Sequence, residues 1–301
     1  MRKILILIVA SFFLLALAAS CGTPPPVVEE PPPPPPLPAA PVVEAEKLDD
    51  TPPELTVTLS PKLFSPDDDG ENDELTVGIS VTSKNPIHGW HITIREPAPT
   101  YNLFSEWSGE GMPPATLVWD GHSADGELVQ SATDYHFALI VTDIYNNSTT
   151  YQGIIEIDVL VRKEGDNLRV IVPSIVFASY SGNFNGLNTD VMSGNDRILR
   201  RIAEVLNKFS TYKVTVEGHA NPTTPPGTTA RTNEENGTRS EKGLKPLSEE
   251  RAKAVVDYLV NLGVARSRLT SVGMGGTRTV VEFADKDNWW KNRRVEFLLV
   301  K

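Results

Sequence analysis

Six consecutive prolines, Pro31 to Pro36, sit inside a stretch from Thr23 to Pro53 made largely of Pro, Val, Ala and Glu. Such a composition offers no apolar pattern from which a core could be packed, and polyproline geometry keeps the chain extended. At about 3.1 Å per residue, some thirty residues reach on the order of 90 Å, less where the chain bends. A spacer of set length and a slack linker of the same composition read alike. Either way, the folded body begins near Glu54.

The segment before this stalk reads as an export signal. Arg2 and Lys3 precede an apolar and small-residue run from Ile4 to Ala19, too short and wrongly flanked for a stable membrane span. Ala18-Ala19-Ser20-Cys21 resembles a bacterial lipobox, although Leu17 stands four residues before the cysteine where the consensus has Leu three before. Cys21 is the only cysteine among 301 residues, so no intramolecular disulfide can form and its thiol is free for lipid attachment. Residues 1–21 are therefore expected to be a lipoprotein signal ending at a lipidated Cys21, followed by a stalk over 22–53. Gly22, rather than Asp, follows the cysteine, which favours an outer-membrane anchor with the body facing the periplasm.

Charge divides the remaining 250 or so residues. From Gly22 to Asp166 there are 6 Lys+Arg against 25 Asp+Glu, and from Asn167 to Lys301 there are 20 against 14. The net charge of −11 thus hides an acidic first part and a basic last part. Two domains are expected, 54–165 and 166–301, the second suited to an anionic partner. The overall acidity argues against nucleic acid.

The first of these reads as all-β. Leu55-Val57-Leu59, Leu75-Val77-Ile79-Val81, Trp90-Ile92-Ile94 and Ile155-Ile157-Val159 alternate with the period of a half-buried strand, and Tyr135 to Val141 is a more continuous apolar run. Six to eight strands in about 110 residues point to an immunoglobulin-like sandwich. The string from Phe64 to Asp73, with Trp119-Asp120-Gly121 and Asp125-Gly126, resembles bacterial sandwich domains of the flagellar-hook-cap and gliding-motility C-terminal types. Within it Asp67, Asp69 and Asp73, with Glu71, alternate oxygen donors around Gly70. They make either a calcium site or a solvated acidic turn, with the glycine misplaced for an EF-hand. No other cofactor is expected.

The last part reads as α/β. A strand is expected over Ser174 to Phe177. Next comes a helix with Ile198, Leu199, Ile202, Val205, Leu206 and Phe209 on one face and Ser193 or Asn195 as cap, then a strand over Tyr212 to Val216 ending at Gly218. A second helix is expected to start at Ser248 and close at Gly263, with Ala252, Val255, Val256, Leu259 and Leu262 as its buried stripe. Strands over Leu269–Gly273 and Val295–Val300 complete a βαβαβ order with a final strand, the whole chain being α+β.

Three strings carry a sharper message: Gly218-His219-Ala220-Asn221, Leu247-Ser248-Glu249-Glu250-Arg251-Ala252 and Asn292-Arg293-Arg294-Val295-Glu296. Together they resemble the C-terminal peptidoglycan-binding domain of the OmpA family. The resemblance implies a site that clamps the carboxylate and amine of the diamino acid in the peptide stem, with Arg251 on the carboxylate and Asn292 and Arg293 in the pocket wall. A guanidinium forks onto a carboxylate through two parallel hydrogen bonds. The alternative for Arg251 is a surface pairing with Glu250 or Asp257.

Asn221 departs from that pattern, standing where the family usually carries Asp. A neutral amide then meets the ligand's ammonium, which weakens that contact. The segment Pro222 to Pro246 is longer than usual and either covers the site or supplies a replacement acid from Glu234, Glu235 or Glu241. His219 is expected to pack or hydrogen-bond at the strand end, and Trp289 and Trp290 to pack at the rim.

No enzyme is expected. The five histidines are scattered, and no metalloprotease string, nucleophile elbow or glycine-rich phosphate loop is present. The resemblance implies a protein joined to the membrane by its N-terminal lipid and to peptidoglycan by its far end. The alternative is an envelope scaffold whose sandwich meets a protein partner and whose wall binding is weak or lost.

Overall fold

The computed structural model describes residues 50–98 and 100–301. The signal, Cys21 and all but the last few residues of the stalk lie outside them. The described residues form one compact unit with two hydrophobic cores.

The first core lies between two sheets. Strands β1 (Glu54–Ser60), β2 (Leu63–Phe64), β3 (Leu75–Thr82), β4 (Ile87–Arg95), β5 (Leu103–Glu110), β6 (Thr116–Trp119), β7 (Asp134–Asp143) and β8 (Ser148–Ile157) arrange as β1-β3-β6 and β2-β8-β7-β4-β5. The alternation read from the sequence is what the sheets use. Leu75, Val77 and Ile79 of β3 face Tyr135, Phe137, Leu139 and Val141 of β7 across a shared interior, and the residues between them point outward. Trp119 and Phe104 sit edge to face, 6.1 Å between ring centroids, in the same core. Strands β5 and β6 have weak alternation and escaped the sequence reading.

The second core lies under a five-stranded mixed sheet. Strands β9 (Arg162–Glu164), β10 (Asn167–Val172), β11 (Lys213–His219), β12 (Leu269–Gly275) and β13 (Val295–Val300) take the order β12-β11-β13-β10-β9, with only β11 and β12 parallel. Helices α1 (Thr189–Lys208), α2 (Thr229–Asn236) and α3 (Leu244–Asn261) complete the part. Leu199, Ile202 and Leu206 of α1 and Ala252, Val255, Val256 and Leu259 of α3 pack on Val214, Val216, Phe297 and Leu299 of the sheet. The chain is thus α+β.

Four local expectations need correction. The first strand of this sheet is Asn167–Val172, not Ser174–Phe177, because Val170 and Val172 supply the inward alternation and pair with β13. Helix α1 is capped by Asn188, whose side chain accepts from the Val191 amide at 2.9 Å. Asn195 is instead buried and exchanges two hydrogen bonds with the backbone of Val176. Helix α3 starts four residues before Ser248, at Leu244 with Gly243 as N-cap. Pro246 lies in its first turn, where a missing N–H costs nothing. Finally, the 222–246 segment is no open loop, since it folds around α2.

The far end of α3 is as read. Gly263 adopts φ +94°, its amide bonds to Val260 O, and Val264 N bonds to Leu259 O, which closes the helix in a Schellman motif.

The two cores are joined by ion pairs. Arg201 of α1 forks onto Asp158 with contacts of 2.7 and 2.6 Å, and Lys291 reaches Glu96 and Glu127 of the sandwich.

Candidate functional site

The end of β11 is pressed against the first turns of α3. A Cβ at Gly218 would overlap the Ser248 carbonyl oxygen, so only glycine allows the approach. Ser248, within the helix, donates to Lys245 O at 2.9 Å and accepts from Gly275 N at 2.8 Å, while Ala220 N bonds to Gly275 O. These contacts place Asn221 and Arg251 on adjoining elements.

Arg251 is half-buried. Its guanidinium lies 5.2 Å from the Phe177 ring centroid, and Nε donates to the Ser181 carbonyl at 3.1 Å. Burial lowers its pKa, and the nearby charge of Arg293 lowers it further. Arg293 is exposed, yet the protein packed around its stem lowers its pKa too. Neither guanidinium has a carboxylate within 4 Å among the described residues. Glu250, the expected surface partner, is held by Lys242 at 2.7 Å. The two guanidiniums therefore leave positive charge on this surface that no described carboxylate within 4 Å neutralises.

Asn221 and Asn292 are brought together as well. Asn292 Nδ2 donates to Asn221 Oδ1 at 2.8 Å, and Asn221 Nδ2 donates to Pro222 O at 3.0 Å. Asn292 is 1% exposed, and its Oδ1 accepts from the amides of Val280 and Val281. It therefore shapes the segment around the site as well as steadying Asn221. Arg294 turns the other way, as strand alternation demands, and pairs with Glu296 at 2.5 Å.

The replacement acids are occupied. Glu234 accepts from the amides and hydroxyls of Thr223 and Thr224; burial would raise its pKa, but these bonds outweigh it and hold it low. Glu235 accepts from Gly276 N at 2.8 Å, with Arg231 Nε 3.5 Å away. Glu234 thus ties the long segment to itself, and Glu235 fastens it to the residue after β12. Glu241 is exposed in the turn closed by the Gly237 and Lys242 bridge.

The sequence reading missed Phe177 and Ser181, which orient Arg251 from 70 or more residues away. Lys291 was missed too. Nothing local marks a lysine whose partners lie in another core.

A second polar cluster occupies the sheet around His219. Its ring is buried with both nitrogens unpartnered, and Nε2 lies 3.7 Å from Glu217 and 3.6 Å from Glu296. Those carboxylates are already paired with Arg169, Arg278 and Arg294, which disfavours a cation among them. On the sandwich, Asp67, Asp69 and Asp73 each offer an oxygen within 4.8 Å of the others. Asp73 also accepts from the amides of Asp67, Asp68 and Gly70, which closes the turn by itself. Neighbouring Asp120, Asp158 and Arg201 wall a cleft of about 850 Å³. Arg251 is not part of it.

With this geometry in place, comparison with known proteins is decisive for one part of the chain: residues 187–293 match the OmpA family. The chain carries an OmpA family domain at its C-terminal end. This domain is 35% identical over 111 residues to a peptidoglycan-associated lipoprotein of Mesorhizobium japonicum, spanning 37% of this chain and 57% of that protein. It is 31% identical over 116 residues to the peptidoglycan-binding protein ArfA of Mycobacterium tuberculosis, spanning 38% of this chain and 31% of that protein. The chain thus spans from 31% to 57% of the length of these curated relatives. Among solved structures, the periplasmic domain of Helicobacter pylori MotB superposes with a TM-score of 0.35 at 22% identity, covering 47% of this chain and 78% of that one. The OmpA domain contains Asn221, Arg251, Asn292 and Arg293.

Proposed function

We propose that the OmpA domain binds peptidoglycan non-covalently, and that Cys21 carries the lipid that fixes the chain to the outer membrane, so that the protein tethers membrane to wall from the periplasmic side. The observation that carries this reading is the pair Arg251 and Arg293, two coupled guanidiniums that no carboxylate neutralises among the described residues. Arg251 grips the stem carboxylate through its free N–H groups, while Phe177 and Ser181 keep it from swinging away. Asn221 makes a weakened contact to the amine, and Asn292 and Arg293 form the wall. The names of the relatives, peptidoglycan-associated lipoprotein and peptidoglycan-binding protein, support both ends of the reading.

Co-sedimentation with purified sacculi tests it. Wild-type protein should pellet with the wall, and Arg251→Ala should weaken retention by about tenfold or more. Wild-type protein that stays in the supernatant overturns the tether. It would instead favour an envelope scaffold, for which one feature speaks: among the described residues β5 ends its sheet with an unpaired edge and exposes Leu103, the geometry that accepts an added strand.

A further inference from the structure

The charges around the candidate site are one-sided. Arg251 and Arg293 lie close enough to repel one another, and the acids of α2 and of the first turns of α3 are held by other groups. Glu249 accepts from Ser271 Oγ and Gly273 N, Glu250 pairs with Lys242, Glu234 binds the Thr223–Thr224 corner, and Glu235 binds Gly276 N. Asn221 cannot substitute for them. It is neutral, and its carbonyl oxygen already accepts from Asn292. A ligand that presents a carboxylate beside a free ammonium would meet two guanidiniums that have no carboxylate within 4 Å among the described residues. The ammonium would lose hydration without gaining a charged partner. If that amine is acylated, it becomes a neutral amide with one N–H to place, and the carboxylate keeps both guanidiniums.

We infer that the site selects a carboxylate whose neighbouring amine is blocked, so that its ligand is an amide-linked stem, as at a peptide cross-link, rather than a stem ending in a free diamino acid. This rests on the wall-binding reading and narrows it to a substrate class. Specificity arises here by exclusion, because the paired guanidiniums reject the zwitterion more than they reward the amide.

Calorimetric titration of the full chain with two synthetic stem tripeptides tests the inference. The two end in the same diamino acid, one with the side-chain amine free and one with it N-acetylated. The acetylated peptide should bind at least as tightly as the free one in wild-type protein. Asn221→Asp supplies the missing acid and should shift the ratio toward the free amine by about tenfold. Glu241 is the acid of the long segment left exposed, so Glu241→Gln should leave the ratio unchanged. A free-amine preference in wild type, or a ratio that depends on Glu241, overturns the inference while leaving the carboxylate grip standing. Binding of neither peptide overturns both readings together.

Discussion

Lys291 Nζ lies 2.7 Å from Glu96 Oε1, and both residues are only 5% exposed. The pair joins the OmpA domain to the sandwich immediately beside Asn292, and Glu127 adds a second carboxylate at 2.7 Å. Burial would lower the lysine pKa, but the two carboxylates outweigh it and hold the ammonium charged. Lys291→Met would leave Glu96 buried with only Asn102 and Thr100 as partners. A loss of about 3 kcal/mol in urea unfolding is expected, since breaking one side of a buried pair leaves an uncompensated charge. Adding Glu96→Gln should recover part of that loss. A single-variant loss under about 1 kcal/mol would show that the pair is ornamental.

Gly218→Ala should be costly for another reason. The added methyl would meet the Ser248 carbonyl oxygen, which is backbone and cannot rotate away. Overpacking of this kind costs about 1 to 3 kcal/mol. Because the strain falls where β11 meets α3, retention on sacculi should drop along with the melting temperature. A melt indistinguishable from wild type would mean that the strand and helix can move apart freely.

How far the sequence disclosed this arrangement depends on the range of the forces involved. The inward faces of β3 and β7 and the stripes of α1 and α3 were legible because a core imposes a period on neighbouring residues. The start of α3 was not, because Ser248 looks like a cap, whereas its hydroxyl serves Lys245 O and Gly275 N inside the helix. The site strings identified Arg251 and Asn221 by pattern. Pattern could not say that Arg251 would lack an acid or that Asn221 would be held by Asn292. Both depend on where distant side chains come to rest, and Glu234 turned to Thr223 and Thr224 and Glu235 to the Gly276 amide instead of toward Arg251 and Arg293.

Asp67 should weaken the sandwich at neutral pH. Partial burial pushes its carboxyl up to about 6, helped by Asp69, Asp73 and Asp158 and opposed by the Val161 amide. A folded-state pKa above the unfolded value means that the folded form holds the proton more tightly. The benefit is complete below about pH 4 and is lost as pH rises through 6. Asp67→Asn should therefore stabilise the protein at pH 7 by about 1 kcal/mol, discounted for partial exposure, and by nothing measurable at pH 4. Urea midpoints at the two pH values decide it, and equal gains at both would refute the electrostatic cause.

His219 should act with the opposite sign. Burial, and then the nearby Arg294, lower its pKa to about 4, with Glu296 the carboxylate working against them and Arg278 and Arg169 adding to the depression. The unfolded chain takes up a proton on this ring near pH 6.5, and the folded chain does not until about 4. Stability from this group is complete above 6.5 and falls through that window, by about 2 to 3 kcal/mol in all. His219→Gln removes the titration, so the variant's unfolding free energy should change less between pH 7 and pH 4.5 than that of wild type. Parallel pH profiles would instead place the proton on another group.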